Sequence, residues 1–126
     1  MARVLIIDDN HTVREMIRGF LADTGHTIDD AENGQIAQRI LDKEPIDLVI
    51  TDIFMPEKEG LEVIHDIRHG ARSIAIIAIS GSSLPGAPDV LKFARELGAN
   101  ATLTKPFTRE QLLEAVNSCL SAGQTS

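Results

Sequence analysis

The sequence contains no tryptophan, no tyrosine and only four phenylalanines, so stacking platforms for bases or sugar rings are largely excluded. Its single cysteine, Cys119, cannot form an internal disulfide. Cys119 falls at helical spacing from Val116 and Leu120, which reads as packing and fits a reduced, cytoplasmic setting. Basic residues are also scarce: 12 Lys and Arg stand against 19 Asp and Glu, a net charge of -7. Nucleic acid is therefore not an expected partner, because a phosphate backbone calls for a basic face. The longest apolar run, Ile74 to Ile79, is six residues, far below the roughly 20 of a membrane-spanning helix. No signal segment is visible, and no membrane partner is expected.

What is present suits one globular domain. The chain has 126 residues, 43% of them hydrophobic, and a domain of this size buries roughly two-thirds of its unfolded surface without a metal or disulfide staple. Short apolar runs at Val4–Ile7, Leu48–Thr51, Ile74–Ile79 and Ala101–Thr104 read as strands buried on both faces. A weaker fifth, around His26–Ala31, carries Asp29 and Asp30 and reads as an edge strand.

Helical periodicity fills the gaps. Val13, Met16, Ile17, Phe20 and Leu21 make one apolar stripe, and Ile36, Ala37, Ile40 and Leu41 make a second. Leu61, Ile64 and Ile67 mark a third helix, Val90, Leu91, Ala94 and Leu97 a fourth, and Leu112, Leu113, Val116 and Leu120 a fifth. Gly25, Gly70 and Gly98 follow helix ends, Pro45 stops the second helix, and Thr108 with Gln111 predicts a capping box. The order is (βα)5, an α/β chain that predicts a doubly wound, five-stranded parallel sheet covered on both faces. The domain is expected over residues 1–121, with a frayed polar tail at 122–126.

In such a sheet, ligands bind at the carboxyl ends of the strands. There the sequence places Asp8, Asp9 and Asn10 after the first strand, Asp52 after the third, Ser80-Gly81 after the fourth and Lys105-Pro106 after the fifth. Like charges about 4 Å apart repel by roughly 4 kcal/mol near a protein surface, so stability alone does not explain three carboxylates at one edge. A hard cation such as Mg2+ removes that penalty and can orient a phosphoryl group for in-line attack. Asp52 is then the nucleophile, Lys105 a point charge on a phosphoryl oxygen and Ser80 a hydrogen-bond donor to another. The same acid pocket predicts that Asp9→Ala raises metal-free stability while weakening Mg2+ binding.

Taken singly, each motif has an ordinary reading. Asp9 or Asn10 can cap a helix, Asp52 can open a turn, and Ser80-Gly81 is a turn signal. All of these must hold together to displace the site. Other constellations fail on their own terms. The run from Asp29 to Gly34 has Ala31 and Ile40 at ligand positions of a calcium loop. His65 and His69 lack a third ligand and read as a solvated helix face.

Asp8-Asp9, Asp52 with Met55-Pro56 and Gly60, Ser80-Gly81, and Lys105-Pro106-Phe107 together resemble the signature of the receiver domain of two-component response regulators. The likeness runs from Val4 to about Leu120, and the strand order 2-1-3-4-5 is taken from that family. The resemblance implies that Asp52 accepts a phosphoryl group from a phosphohistidine on a sensor histidine kinase or a histidine phosphotransfer protein. It further implies that Asp9, Asp52 and the backbone carbonyl of Phe54 ligate Mg2+, with Asp8 acting through water. A cis peptide is implied between Lys105 and Pro106, as is movement of Ser80 that remodels the surface of the fourth helix, fifth strand and fifth helix. Lys92, Arg95, Glu96 and Thr104 lie on that surface.

Output then comes from binding another protein there, or from passing the phosphoryl group on in a relay. The expected protein is a stand-alone cytoplasmic receiver, not a metabolic enzyme, catalysing only its own phosphorylation and dephosphorylation. One departure stands out: Thr102 occupies the position where receivers often carry a switching aromatic. In the family the positions two beyond the phosphoacceptor and the serine, here Phe54 and Ser82, tune phosphoryl lifetime through water access, and the bulky Phe54 is expected to slow hydrolysis. The competing reading is a constitutive interaction module of the same fold without regulated phosphorylation. An aspartyl-phosphate phosphatase is disfavoured, because Phe54 stands where it would need a second carboxylate.

Overall fold

A computed structural model of the chain describes residues 2–53, 60–70, 73–81 and 90–124. Strands and helices alternate throughout. The order is β1 (Arg3–Ile7), α1 (His11–Phe20), β2 (Thr27–Ala31), α2 (Gly34–Lys43), β3 (Leu48–Asp52), α3 (Gly60–His69), β4 (Ala75–Ser80), α4 (Val90–Leu97), β5 (Ala101–Thr104) and α5 (Arg109–Gln124). The five strands are parallel in the order β2-β1-β3-β4-β5. This is the expected doubly wound α/β sheet, with the acidic β2 at its edge.

The sheet separates two apolar layers. Leu5, Ile7, Val49, Ile76 and Ala78 pack with Ala37 and Leu41 of α2, Val63, Ile64 and Ile67 of α3 and Ala94 of α4. Their strand neighbours Val4, Ile6, Leu48, Ile50, Ile77 and Ile79 point the other way, onto Ile17 of α1, Leu21 at its C-cap, and Leu112, Val116 and Cys119 of α5. Alternate residues of one strand thus serve opposite layers. Each fully buried Leu or Ile contributes about 1.5–3 kcal/mol, and β1 from Val4 to Ile7 is wholly buried.

Local chemistry sets the helix boundaries. Asn10 is extended (φ -91°, ψ 112°), and its side chain accepts from the N–H of Thr12 at 2.9 Å and of Val13 at 3.3 Å, capping α1. Asn33 caps α2 through the Ile36 N–H at 2.9 Å. The capping box is reciprocal: Thr108 N–H donates to Gln111 Oε1 at 2.8 Å, and Gln111 N–H to Thr108 Oγ1 at 3.1 Å. α2 stops at Lys43, with Glu44 extended ahead of Pro45.

Gly98 ends α4 at φ +124°, where a Cβ would lie 2.7 Å from Arg68 Cγ. Arg68 itself donates to the carbonyls of Gly98 at 3.0 Å and Ile74 at 2.6 Å and to Asn100 Oδ1 at 2.6 Å. One side chain of α3 therefore clips the turn between α4 and β5 to the start of β4.

Met16 and Leu97 lie on the apolar stripes of α1 and α4 yet are 36% and 37% exposed, because each helix buries a narrower face against the sheet than its full stripe. The last helix, α5, runs through Gln124.

Candidate functional site

The site lies where β1, β3, β4 and β5 end. Asp8 follows the last residue of β1 and is 1% exposed, while its neighbour Asp9, at a bend, is exposed. Asp52 closes β3 and is also buried. One carboxylate oxygen from each of the three falls within 4.8 Å of the others. Two like charges at that spacing repel by roughly 3 kcal/mol in a surface-like dielectric, and the exposed Asp9 feels less than the buried pair.

Every polar atom of Asp8 is engaged. Its N–H donates to Ala31 O at 3.1 Å, and its carbonyl accepts from the Arg14 guanidinium at 2.7 Å. Its Oδ1 accepts from the Asn10 N–H at 2.8 Å and its Oδ2 from Lys105 Nζ at 3.3 Å. Burial pushes the Asp8 carboxyl above its ordinary pKa; the Asp52 charge adds to this, while the Asn10 N–H and Lys105 oppose it.

Lys105 is placed by its backbone. Its N–H donates to Ser80 O at 2.8 Å, and its peptide to Pro106 is cis, as the resemblance implied. From there Nζ also reaches Asp52 Oδ2 at 3.4 Å. Ser80 ends β4, is buried, and donates from Oγ to Gly81 O at 3.1 Å. Asp52 stands in register with Ile79, one residue before Ser80. Thr102, half-buried on β5, accepts from the Arg95 guanidinium of α4 at 3.1 Å.

Asp8, Asp9, Asp52 and Lys105 are thus brought together, and Ser80 lies one strand away. Phe54, Met55, Pro56 and Ser82 lie outside the described residues. Lys92, Arg95, Glu96 and Thr104 are exposed, as is Phe93, at 54%. The sequence reading missed Phe93, and it also missed Arg14, which could have been found four residues after the N-cap, one turn into α1.

The excluded constellations are accounted for separately. Asp29 pairs with Arg3 at 2.7 Å and Asp30 with Arg18 at 2.8 Å. His65 and His69 stack on the exposed side of α3 with ring centroids 4.0 Å apart.

The donor set is all carboxylate oxygen, which suits a hard cation such as Mg2+ and not a thiophilic one. The fit is specific in one respect. Asp8 has both oxygens occupied, whereas among the described residues no hydrogen bond or ion pair holds the carboxylate of Asp9.

The model of the response regulator receiver domain matches residues 4–117. The chain is 32% identical to the chemotaxis protein CheY of Halobacterium salinarum, over 95% of this chain and 98% of that protein. It is also 32% identical to protein PilH of Pseudomonas aeruginosa, over 96% and 99% of the two. Among solved structures, the chemotaxis protein CheY4 of Vibrio cholerae superposes with a TM-score of 0.85 at 29% identity, covering 95% of this chain and 99% of that one. A receiver domain from Clostridium thermocellum superposes with a TM-score of 0.88 at 29% identity, covering 98% of both. With the sheet order, the three convergent aspartates and a family match over nearly its whole length, the chain belongs to the receiver domains of two-component response regulators, the phosphorylatable modules of that signalling system.

Proposed function

We propose that Asp52 is the phosphoacceptor and that the chain takes its phosphoryl group from a phosphohistidine. The observation that carries this reading is the pairing of Lys105 Nζ with Asp52 Oδ2 at 3.4 Å inside a cluster of three carboxylates. An oxygen of Asp52 forms the new bond to phosphorus as the bond from phosphorus to the donor imidazole breaks, and the released imidazole takes up a proton from solvent. Lys105 meets the charge on one phosphoryl oxygen, and the Ser80 hydroxyl turns from Gly81 O to donate to another.

Asp9 and Asp52 would hold Mg2+ directly, with the Phe54 carbonyl as a further ligand carried over from the family. Asp8, already bonded on both oxygens, would act through water. When bound, Mg2+ supplies charge neutralisation for the carboxylates and the incoming phosphoryl oxygens. Hydrolysis at the same centre returns Asp52 to its free form, so the catalysis is confined to the protein's own side chain.

The kinase or phosphotransfer partner approaches the strand-end site. Output uses the surface of α4, β5 and α5, where Arg95 and Thr102 connect helix to strand, or the phosphoryl group passes on in a relay. A cytoplasmic location is part of this reading, since sensor kinases present their phosphohistidines there. Among the described residues no helix is long and apolar enough to cross a membrane.

Intact mass after incubation with a small phosphoryl donor tests the chemistry. The expected result is one added phosphoryl group in wild type with Mg2+, none with chelator and none in Asp52→Asn. No adduct from either a small donor or a phosphohistidine donor would leave the constitutive module as the better account.

A further inference from the structure

We infer that Arg14 is a positioning residue for Asp9: it holds the Asp8–Asp9 peptide so that an untethered carboxylate stays within reach of Asp52. The inference rests on the proposed Mg2+ reading of the cluster and concerns how that cluster keeps its shape.

Among the described residues Asp9 has no side-chain anchor of its own. Its side chain is exposed, and among the described residues nothing bonds its carboxylate. What places it is the backbone, and the peptide leading into it begins at the Asp8 carbonyl. Arg14 donates to that carbonyl at 2.7 Å. Because the peptide is planar, fixing the carbonyl also fixes the direction of the bond into Asp9. The Asp8 N–H and Oδ1 pin the preceding half of the turn, through Ala31 O and the Asn10 N–H. Arg14 is held in turn by its place in α1, where its N–H donates to Asn10 O at 3.1 Å, and its second guanidinium nitrogen lies 3.4 Å from His11 Nδ1.

The choice of acceptor matters chemically. Lys105 spends its ammonium on carboxylate oxygens of Asp8 and Asp52. Arg14 instead grips a backbone oxygen, and among the described residues both carboxylate oxygens of Asp9 stay open for a cation. Groups that orient ligands without touching the metal commonly affect affinity by roughly 10–100-fold.

Charge and position predict opposite signs. If Arg14 acted only as a nearby cation, removing it would tighten Mg2+ binding; if it positions Asp9, removing it loosens binding. The experiment titrates Mg2+ alone into the metal-free full chain, by calorimetry or amide shifts, in wild type, Arg14→Met and Arg14→Lys. The expected result is a Kd raised roughly tenfold in Arg14→Met, with Arg14→Lys, which can still donate to the Asp8 carbonyl, recovering most of the loss. Phosphorylation at saturating Mg2+ should then return close to the wild-type extent in both variants.

A Kd in Arg14→Met that is unchanged or tighter overturns the inference, as does equal loosening in both variants with loss of amide dispersion, which would mark a general folding defect. Wild type that fails to bind Mg2+ would overturn the reading of the site itself. Wild type that binds, beside an Arg14→Met that matches it, overturns the role of Arg14 alone.

Discussion

Lys105 and Asp52 meet across an intervening strand. Asp52 closes β3 and Lys105 follows β5, with β4 between them, yet Nζ stands 3.4 Å from the Asp52 carboxylate. The span is possible because the backbone of Lys105 is tied to the end of β4 through Ser80 O, so its four-carbon stem starts above the strand it must cross. The ammonium approaches the carboxylates from the β5 side, leaving the β1 side, where Asp9 is exposed, for a cation.

Asp8, not Asp9, bears the electrostatic cost of the metal-free site. Asp8→Asn keeps the oxygen that accepts from Asn10 N–H and removes a buried charge, so it should raise metal-free stability by about 0.5–2 kcal/mol. Asp9→Ala, at an exposed position, should raise it less. Thermal melts without metal give the comparison, and an Asp8→Asn protein that melts lower than wild type contradicts the account. Mg2+ should raise the wild-type Tm by mass action and raise that of Asp8→Asn less.

The same carboxyl sets a pH dependence. Its pKa is raised in the fold, so the folded state keeps this proton after the unfolded state has lost it at about pH 3.9. The stability it contributes is full below that value and is lost as pH rises through the folded-state pKa. The advantage of Asp8→Asn over wild type should therefore shrink towards low pH, measured as denaturant midpoints in chelator.

Gly98 offers a test of the Arg68 clip. Gly98→Ala meets both a positive φ and a contact at 2.7 Å with Arg68 Cγ, and strain of this kind costs about 1–3 kcal/mol. Arg68→Ala removes the contact but not the backbone cost. Adding Gly98→Ala to Arg68→Ala should therefore cost less than adding it to wild type, yet still cost something; equal penalties would show that the side chain yields freely.

Asn10→Ala removes the side-chain acceptor for Thr12 and Val13 and should lower stability by about 1 kcal/mol. The Asn10 N–H bond to Asp8 belongs to the backbone and survives, so loss should appear in chemical denaturation more than in Mg2+ affinity.

Cys119 should resist thiol reagents in the native state. Burial pushes its thiol pKa up, which keeps it protonated and out of reach. Its contribution to stability is present below the ordinary thiol pKa, about 8.5, and is lost as pH rises beyond it. Labelling at mildly alkaline pH should track unfolding by urea; fast labelling of the folded chain would contradict the packing.

The strands and their order of appearance were legible because runs such as Val4–Ile7 are buried on both faces, and a run of that kind admits few alternatives. The capping box of Thr108 and Gln111 is a short-range signal of the same clarity. Asp52 and Lys105 could be found because a parallel sheet gathers its strand ends. The asymmetry between Asp8 and Asp9 was not legible: both carboxylates reach the same cluster, yet one is buried and the other exposed, and the sequence does not say which residue is which. Arg68 acts through a long side chain on the backbone carbonyls of other segments, which has no sequence pattern, whereas Arg14 reaches only the turn before its own helix. Met16, Phe93 and Leu97 depend on how far each helix is rolled on the sheet.

The edge strand carries a consequence beyond the site. Asp29 and Asp30 point to opposite faces of β2, each held by an arginine from within the chain, Arg3 on one side and Arg18 on the other. A foreign strand adding to this edge would have to desolvate an ion pair above and another below. Such charges discourage edge-to-edge aggregation, so β2 protects its own edge of the sheet against fibril-like growth.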